Sequence, residues 1–302
     1  MQTGKQYDVI IIGGSYAGLS AAMALGRSLK KVLIIDSGKP CNRQTPHSHN
    51  FITQDGEKPA VIAGKAKEQV LKYSTVSYIP DLALSGEKGE NGFTITTQSG
   101  ENFEARKLIF ATGIKDTLPD IPGFAACWGT TIVHCPYCHG YELRNMKTGI
   151  LANGERALHL AGLVHNLTKD LTVLTSGKAA WTQEQIAKLD QHRITIIETG
   201  VVEIIRNGAQ IEAVLFSDGS KLQVDALYAA VPFTQHSGIP ASLGCELTEQ
   251  GHIKVDAFQQ STVPGVYACG DNAAMMRSVA NAVYSGNVAG AMVNKELTDE
   301  QF

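Results

Sequence analysis

Residues 7–22 read YDVIIIGGSYAGLSAA, an apolar run that meets a glycine turn and continues into small residues suited to a helix. A second apolar run, KVLIID, follows and ends at Asp36. Uninterrupted apolar runs are typical of strands that are buried on both faces of a parallel sheet. The order strand, glycine turn, helix, strand therefore predicts a βαβ unit of the nucleotide-binding type.

The turn of this unit carries an imperfect dinucleotide fingerprint. Gly13 and Gly18 hold its first and third glycine positions, and Ser15 holds the second. A tight turn without bulky side chains lets a phosphate reach the free amide groups of the helix. Asp36 lies 18 residues beyond Gly18 at a strand end, where it can accept hydrogen bonds from a ribose. Such turns also occur without ligands. The strand before the turn, the helix after it and the carboxylate of Asp36 together favour a bound dinucleotide.

The same layout recurs in the middle of the chain. Gly149–Ala152 reads as a strand, NGERALHLAGLVHNL has helical spacing, and Leu171–Leu174 gives a further strand. The stretch IKDTLPDIPGF, with two prolines, suits a linker and places a boundary near Lys115. A chain of 302 residues exceeds the usual size of one core, so we predict two domains.

Shorter signals predict other elements. FTITTQSGENFEA reads as a hairpin with Ser99 and Gly100 at its turn, followed by a strand in KLIFATG. Hairpin-like strands are predicted around Asp218 and Gly219. STVPGVYACGDNAA reads as a strand that ends in Gly-Asp, and a helical stretch follows from Met275 onward.

Charge and hydropathy exclude some classes of protein. With 26 basic and 29 acidic residues the net charge is −3, and no like-charge run is present to attract nucleic acid. The polar start lacks the pattern of a secretory signal, and no apolar stretch approaches the ~18 residues that a membrane span needs. We therefore predict a soluble, cytoplasmic protein without a nucleic-acid or membrane partner.

Residues 133–142 read VHCPYCHGYE, in which Cys135 and Cys138 form a CxxC pair. Six cysteines are too few for a disulfide scaffold in a chain of this length. Structural zinc needs four ligands, and neither a second cysteine pair nor a spaced histidine pair follows, so we predict no metal. Zinc remains an alternative that predicts a colourless preparation. A bridge that closes so short a loop stabilises little, which favours a dithiol that cycles with its disulfide.

The neighbours of the pair suit this chemistry. Pro136 can take the first helical position, which places the Cys135 sulfur at a helix N-terminus, where the dipole favours thiolate. His139 can supply or remove a proton near neutral pH, although it can also be an ordinary surface histidine. Glutaredoxins share CPYC, but their motif follows the first strand of a small domain.

The ordered motifs GGSYAGLSAA, Asp36, HNF at 49–51, ATG at 111–113, the CxxC pair, a second βαβ unit and VPGVYACGD resemble the thioredoxin reductase-like flavoproteins over nearly the whole chain. CPYCHGYE and DSGKPCNR are most similar to the branch with dithiol oxidases of gliotoxin and holomycin type. The resemblance implies an α/β fold of two Rossmann-like, three-layer ββα-type nucleotide-binding domains, the second inserted into the first. Residues 1–114 and 245–302 would form the FAD-binding domain, and residues 115–244 an NAD(P)H-binding-like domain with the dithiol. It also implies a homodimer.

The resemblance further implies the site residues. FAD binding is implied for Gly13, Gly14, Ser15, Tyr16, Ala17, Gly18, Asp36, Ser37, Asn42, Asn50, Thr112, Gly113, Gly270 and Asp271. Cys138 would face the flavin, Cys135 would exchange with the substrate, and His139 would serve as acid and base. The substrate stays open between a thioredoxin-like protein and a small dithiol.

Two departures from the family bear on the electron donor. Relatives that use NADPH carry a glycine-rich turn and an arginine-containing stretch in the middle domain, whereas this chain has ANGERA, with Ala152 in the first glycine's place. Thr175–Lys178 follows the next strand without an arginine, and a 2′-phosphate needs charge-assisted partners. We expect weak NADPH binding and only slightly better NADH binding, and the alternative for this second βαβ unit is a retained scaffold that no longer binds a nucleotide. Three versions remain: a reductase, a dithiol oxidase that passes electrons to oxygen or another acceptor, and a non-catalytic flavin redox sensor.

Overall fold

The strand predicted from Tyr7 to Ile12 spans Lys5–Ile12 in the computed structural model, which describes residues 5–302. The elements up to the first linker are β1 (Lys5–Ile12), α1 (Tyr16–Arg27), β2 (Val32–Ile35), α2 (Pro59–Val70), β3 (Val76–Ile79), β4 (Ala83–Gly89), β5 (Gly92–Thr97), β6 (Asn102–Phe110) and β7 (Ile114–Asp116). The middle of the chain contains α3 (Phe124–Cys127), β8 (Ile132–Val133), α4 (Pro136–His139), β9 (Thr148–Leu151), α5 (Gly154–Val164), β10 (Leu171–Leu174), α6 (Gln183–Gln191), β11 (Thr195–Ile197), β12 (Val201–Asn207), β13 (Gln210–Phe216), β14 (Lys221–Gln223) and β15 (Ala226–Ala229). The last part contains β16 (Phe233–Gln235), α7 (Ile239–Ser242), β17 (Val266–Ala268) and α8 (Val279–Asp299).

The described residues divide into two compact units. The first comprises the chain up to Arg43 together with residues 50–115 and 233–302, and the second comprises residues 44–49 and 116–232. Each unit contains a sheet built on a parallel βαβ unit, and the second unit is inserted into the first, which confirms the predicted fold class. The predicted domain boundaries after residues 114 and 244 stay a prediction.

The first unit is built on a sheet with the strand order β3-β2-β1-β6-β5-β4, and β17 also pairs with β6. Strand β1 is parallel to β2 and to β6, whereas β4, β5 and β6 form an antiparallel meander. Helices α1 and α8 cover one face and approach each other closely, because a Cβ on Gly286 would lie 2.1 Å from the Ala17 carbonyl oxygen. This packing holds the N-terminus of α1 at the carboxyl end of β1.

The second unit has a five-stranded parallel sheet in the order β11-β10-β9-β15-β8 and an antiparallel sheet of β12, β13 and β14. The parallel pairing of β9 with β10 across α5 confirms the predicted second βαβ unit. The hairpin predicted around Asp218 and Gly219 is the β13–β14 connection. Among residues 5–302, no helix has both the length and the apolar character that a membrane crossing requires.

Two element boundaries differ from the prediction. The hairpin strand after Ser99 and Gly100 and the strand in KLIFATG are one continuous strand, β6, because β1 pairs with both of its halves, while β5 and then β17 pair along its other edge. The helix predicted from Met275 begins at Val279, because the Ser278 side chain accepts the Asn281 amide and caps the helix there. Residues just before this cap are bent, so they do not continue the helix.

A buried ion-pair cluster joins β6 to the end of α8. The Lys107 side chain is 8% exposed, and its Nζ lies 2.7 Å from Glu296 Oε1 and also contacts Glu300. The hydrogen bond from Lys107 is the main reason that the pKa of the Glu300 carboxyl is lowered. A carboxyl with a depressed folded pKa stabilises the fold above its unfolded pKa, and this contribution is lost as the pH falls through the folded value.

Lys107→Met keeps the apolar stem but removes the charge, so we expect it to lower the free energy of unfolding by about 1–3 kcal/mol near pH 7. The difference from wild type should shrink in acid, where Glu300 becomes protonated. Urea unfolding at neutral and acidic pH measures both effects. Lys295→Met, which breaks an exposed pair with Asp299, is the matched control and should change stability by less than about 0.5 kcal/mol. Equal losses in the two variants would contradict the account.

Candidate active site

The turn between β1 and α1 has no room for side chains. Gly13 has a φ of +106°, and a Cβ there would lie 2.2 Å from the Ala111 carbonyl oxygen. A Cβ on Gly18 would lie 1.9 Å from the Gly13 carbonyl oxygen. Ser15 is the N-cap of α1, but its side chain makes no capping hydrogen bond. The first amide groups of α1 are therefore not capped by this side chain, which suits a phosphate ligand.

A cavity of about 260 Å³ opens beside this turn. Its lining includes Ser15 at the N-cap of α1, Asp36 after β2 and Thr112 after β6, all beyond the carboxyl ends of parallel strands. Lys39 and Lys67 add positive charge to the same lining. Ligands of open α/β sheets bind in this position, where the strand order reverses.

Tyr78 orients the carboxylate in the cavity. Its hydroxyl donates a hydrogen bond of 2.8 Å to Asp36 Oδ2. Burial and then this hydrogen bond raise the pKa of the Tyr78 phenol, so it stays a donor at neutral pH. Sequence reasoning missed Tyr78 because it lies 42 residues after Asp36 and meets it only through the pairing of β2 with β3.

Asn272 is a second residue that sequence reasoning missed. It is fully buried, and its Nδ2 donates to the Phe110 carbonyl oxygen at 2.9 Å and to Thr112 Oγ1 at 3.2 Å. Its Oδ1 is buried and, among the described residues, has no hydrogen-bond partner. A buried amide oxygen without a partner indicates a polar ligand or an ordered water at this position. Its place directly after Asp271 was the only signal in the sequence.

The predicted cofactor residues fall into two groups. The cavity is lined by Gly13, Gly14, Ser15, Asp36, Ser37 and Thr112. The residues outside this lining are Tyr16, Ala17, Gly18, Asn42, Asn50, Gly113, Gly270 and Asp271. The Tyr16 hydroxyl donates to the Pro59 carbonyl oxygen and accepts from Asn42. These hydrogen bonds connect the first residue of α1 to the segments around Asn42 and Pro59. The binding role of every residue in both groups stays a prediction.

These residues fit a dinucleotide. The turn between β1 and α1 has no room for side chains, so a phosphate can approach its backbone. The Asp36 carboxylate, held by Tyr78, can accept hydrogen bonds from a ribose. Lys39 and Lys67 can balance the charge of a pyrophosphate. Asn272 hydrogen-bonds to the lining residue Thr112, and its buried amide oxygen has no partner among the described residues.

The cysteine pair lies at the start of α4 in the second unit. Cys135 is the N-cap and Pro136 takes the first helical position, as predicted. The Cys138 amide donates to the Cys135 sulfur at 3.2 Å. The two residues are joined as a disulfide, with their Cα atoms 5.3 Å apart. A sulfur at this position is stabilised as thiolate by the helix amides once the bond is reduced.

No group of three or more His, Cys, Asp or Glu side chains within residues 5–302 is arranged to hold a metal.

His139 ends this short helix and is half-buried. Burial lowers the pKa of its imidazole, the charge of His49 lowers it further, and Glu142 opposes both. The imidazole is therefore neutral near pH 7 and can accept a proton from a thiol. His49 Nδ1 lies 3.5 Å from Glu142 Oε1, which brings both groups close to the dithiol helix.

The turn before α5 is occupied by the chain's own loop. The Asn153 side chain accepts the amides of Gly154 at 2.7 Å and Ala180 at 2.9 Å, and it donates to the Lys178 carbonyl oxygen at 2.9 Å. The Trp181 indole donates to the Gly154 carbonyl oxygen at 2.8 Å. A phosphate at this helix start would have to displace these hydrogen bonds. The sequence showed that Ala152 replaces the first glycine of the turn, but not that Trp181 hydrogen-bonds to Gly154 there.

Comparisons with known proteins agree with this arrangement. Residues 7–286 match the family described as Pyridine nucleotide-disulphide oxidoreductase. The chain is 35% identical over 308 residues to Thioredoxin reductase tcpT of Claviceps purpurea (strain 20.1), covering 98% of this chain and 96% of that protein. It is 30% identical over 310 residues to Thioredoxin reductase aclD of Aspergillus oryzae, covering 98% of both. The crystal structure of an oxidoreductase from Agrobacterium tumefaciens superposes with a TM-score of 0.92 at 35% identity, covering 97% of this chain and 99% of that one.

Proposed function

The chain belongs to the pyridine nucleotide-disulphide oxidoreductase family as a thioredoxin reductase-like enzyme, and from this premise we propose that it is an FAD-dependent thiol–disulfide oxidoreductase that works through Cys135 and Cys138. Membership of an enzyme family sets aside the non-catalytic sensor. The observation that carries the proposal is the disulfide between Cys135 and Cys138 at the start of α4, with the His139 imidazole at the end of the same helix.

The cofactor part of the proposal rests on the first unit. The cavity residues Gly13, Ser15 and Asp36 would hold the pyrophosphate and ribose of FAD, and Asn272 would offer its buried amide oxygen. Bound FAD would supply a two-electron acceptor or donor for the dithiol. In this proposal, residues 1–114 and 245–302 bind FAD, and residues 115–244 carry the dithiol.

The cysteine pair would carry out the exchange with substrate. A substrate thiolate attacks the Cys135 sulfur, the bond to Cys138 breaks, and a mixed disulfide with Cys135 forms. His139 takes the proton of the attacking thiol and can return it to the Cys138 thiolate. A second substrate thiol then releases Cys135 as the substrate disulfide closes. The reverse sequence reduces a substrate disulfide, either in a thioredoxin-like protein or in a small molecule.

A specific observation favours the oxidative direction. The hydrogen bonds of Asn153 and Trp181 fill the turn where a nicotinamide dinucleotide would place its phosphates. Lys178 is the one cation in the sequence run Thr175–Lys178. Both features disfavour NADPH as the electron donor, so our second candidate is a dithiol oxidase that passes electrons to oxygen or another acceptor.

The electron donor can be tested by stopped-flow absorbance of the anaerobic protein. We expect a dithiol such as dithiothreitol to bleach the flavin band, and NADPH at about 1 mM to do so at least about 100-fold more slowly, because a site weaker than millimolar contributes little binding energy. A slow response to NADPH that becomes fast in Asn153→Gly would assign the barrier to this turn. Rapid bleaching of the wild-type protein by NADPH would contradict the oxidative candidate.

A further inference from the structure

Glu142 lies one helical turn beyond His139. The Leu143 amide donates to the His139 carbonyl oxygen at 3.2 Å, so helical hydrogen bonding continues past the end of α4. Residues three apart on a helical turn share a face, which places the Glu142 carboxylate on the side of the His139 imidazole. The carboxylate raises the pKa of that imidazole, in opposition to burial.

His49 holds this carboxylate from a different part of the second unit. Its Nδ1 lies 3.5 Å from Glu142 Oε1, and its side chain is 19% exposed. The segment 44–49 belongs to the second unit and contacts it near Gly129, where a Cβ would lie 2.9 Å from Gln44 Cγ.

The charge of Glu142 acts toward the interior of the unit, although 40% of the side chain is exposed. Tyr228 on β15 is 1% exposed, and the pKa of its phenol is raised by burial and then by Glu142. The half-buried His139 and the buried Tyr228 therefore both experience this one carboxylate.

We propose that Glu142, held by His49, is a positioning residue that stabilises the protonated His139 imidazole while the dithiol exchanges with substrate. The inference rests on the proposed function. When a substrate thiol attacks Cys135, its proton passes to His139, the bond to Cys138 breaks, and the electron pair of that bond leaves on the Cys138 sulfur. The proton then returns to this thiolate, so the exchange is balanced without a further reactant. A carboxylate that stabilises an imidazolium plays the part of the acid in a catalytic triad.

Two charged groups shift the pKa of the His139 imidazole. Among the described residues, His49 and Glu142 are the titratable groups whose charges shift its pKa, and helix α5, which packs against α4, adds none. His49 disfavours the imidazolium and Glu142 favours it. Loss of the Glu142 charge should therefore leave a weaker base.

The test is a pair of measurements on the FAD-loaded, disulfide form of Glu142→Gln. In an NMR titration, with the His139 signal assigned from His139→Asn, we expect the His139 pKa to fall below its wild-type value. In rapid-quench alkylation, we expect dithiothreitol to reduce the cysteine pair about 10-fold more slowly at neutral pH, because a general base loses rate as its basicity falls. The acid limb of that pH profile should move to lower pH.

Two further variants sharpen the test. Glu142→Asp keeps the negative charge but moves it back by one methylene. We therefore expect its reduction rate and its His139 pKa to lie between those of the wild-type protein and Glu142→Gln. Glu212→Gln removes an exposed carboxylate of the same unit on β13 and should change neither measurement. An unchanged His139 titration in Glu142→Gln would overturn the positioning role alone. Failure of dithiothreitol to reduce the cysteine pair of the wild-type protein would instead remove the proposed function.

Discussion

Replacing Cys138 with serine is expected to slow dithiol-driven bleaching of the flavin by at least about 10³-fold, because serine cannot form or reopen the bond to Cys135. The substitution replaces sulfur by oxygen at a half-buried position of a short helix, so the fold should be kept. Stopped-flow absorbance with dithiothreitol measures the rate directly. Cys135→Ser should be as inactive, because the two sulfurs work as one unit.

The control for this prediction is Cys245→Ser. Cys245 is a buried free thiol whose sulfur lies 3.5 Å from Ser261 Oγ, a contact that a serine hydroxyl can replace. We expect this variant to bleach at the wild-type rate. A Cys138→Ser protein that is reduced as fast as Cys245→Ser would mean that electrons reach the flavin without the cysteine pair.

Replacing Gly18 with alanine is expected to give a protein that binds FAD more weakly, by up to about 100-fold. The new Cβ would lie 1.9 Å from the Gly13 carbonyl oxygen, so the turn that would hold the pyrophosphate must move. Overpacking of this kind costs about 1–3 kcal/mol, and the upper end corresponds to about two powers of ten in affinity. The ratio of visible to ultraviolet absorbance after purification, and FAD titration of the stripped protein, measure the loss.

Gly64 provides a matched control within the same cavity. It lines the cavity, but a Cβ there would meet no atom within 4 Å, and it lies inside α2. Gly64→Ala should keep the flavin and stabilise the helix by about 0.5–1 kcal/mol. If both variants purified with full flavin, the glycine turn would not be the cofactor site.

The sequence was sufficient for features that are local. The apolar runs of β1 and β2, the glycine turn between them and the repeat of this pattern at β9 predicted both βαβ units, because burial on two faces requires continuous apolar residues. Pro136 after Cys135 likewise predicted the start of α4. The joint strand β6 was not predicted, since its continuity depends on pairing with β1, which lies about 100 residues earlier in the chain.

Features that depend on tertiary contacts could not be predicted. Tyr78 reaches Asp36 through a neighbouring strand, and His49 reaches Glu142 through a loop, so no spacing rule connects either pair. Asn272 reads as an ordinary residue after Gly-Asp, and only its burial reveals the oxygen without a partner. The site thus consists of a local scaffold that the motifs predict and supporting side chains that the fold brings in from distant positions.

The central claim is that the cysteine pair and one flavin form a single redox unit within the chain. Anaerobic reductive titration of the yellow protein with dithionite tests it most directly, because the disulfide and the flavin are each a two-electron couple. We predict that full reduction takes about four electrons per flavin in the wild-type protein and about two in Cys138→Ser. A wild-type protein that is fully reduced by about two electrons, or one that contains no flavin, would contradict the account.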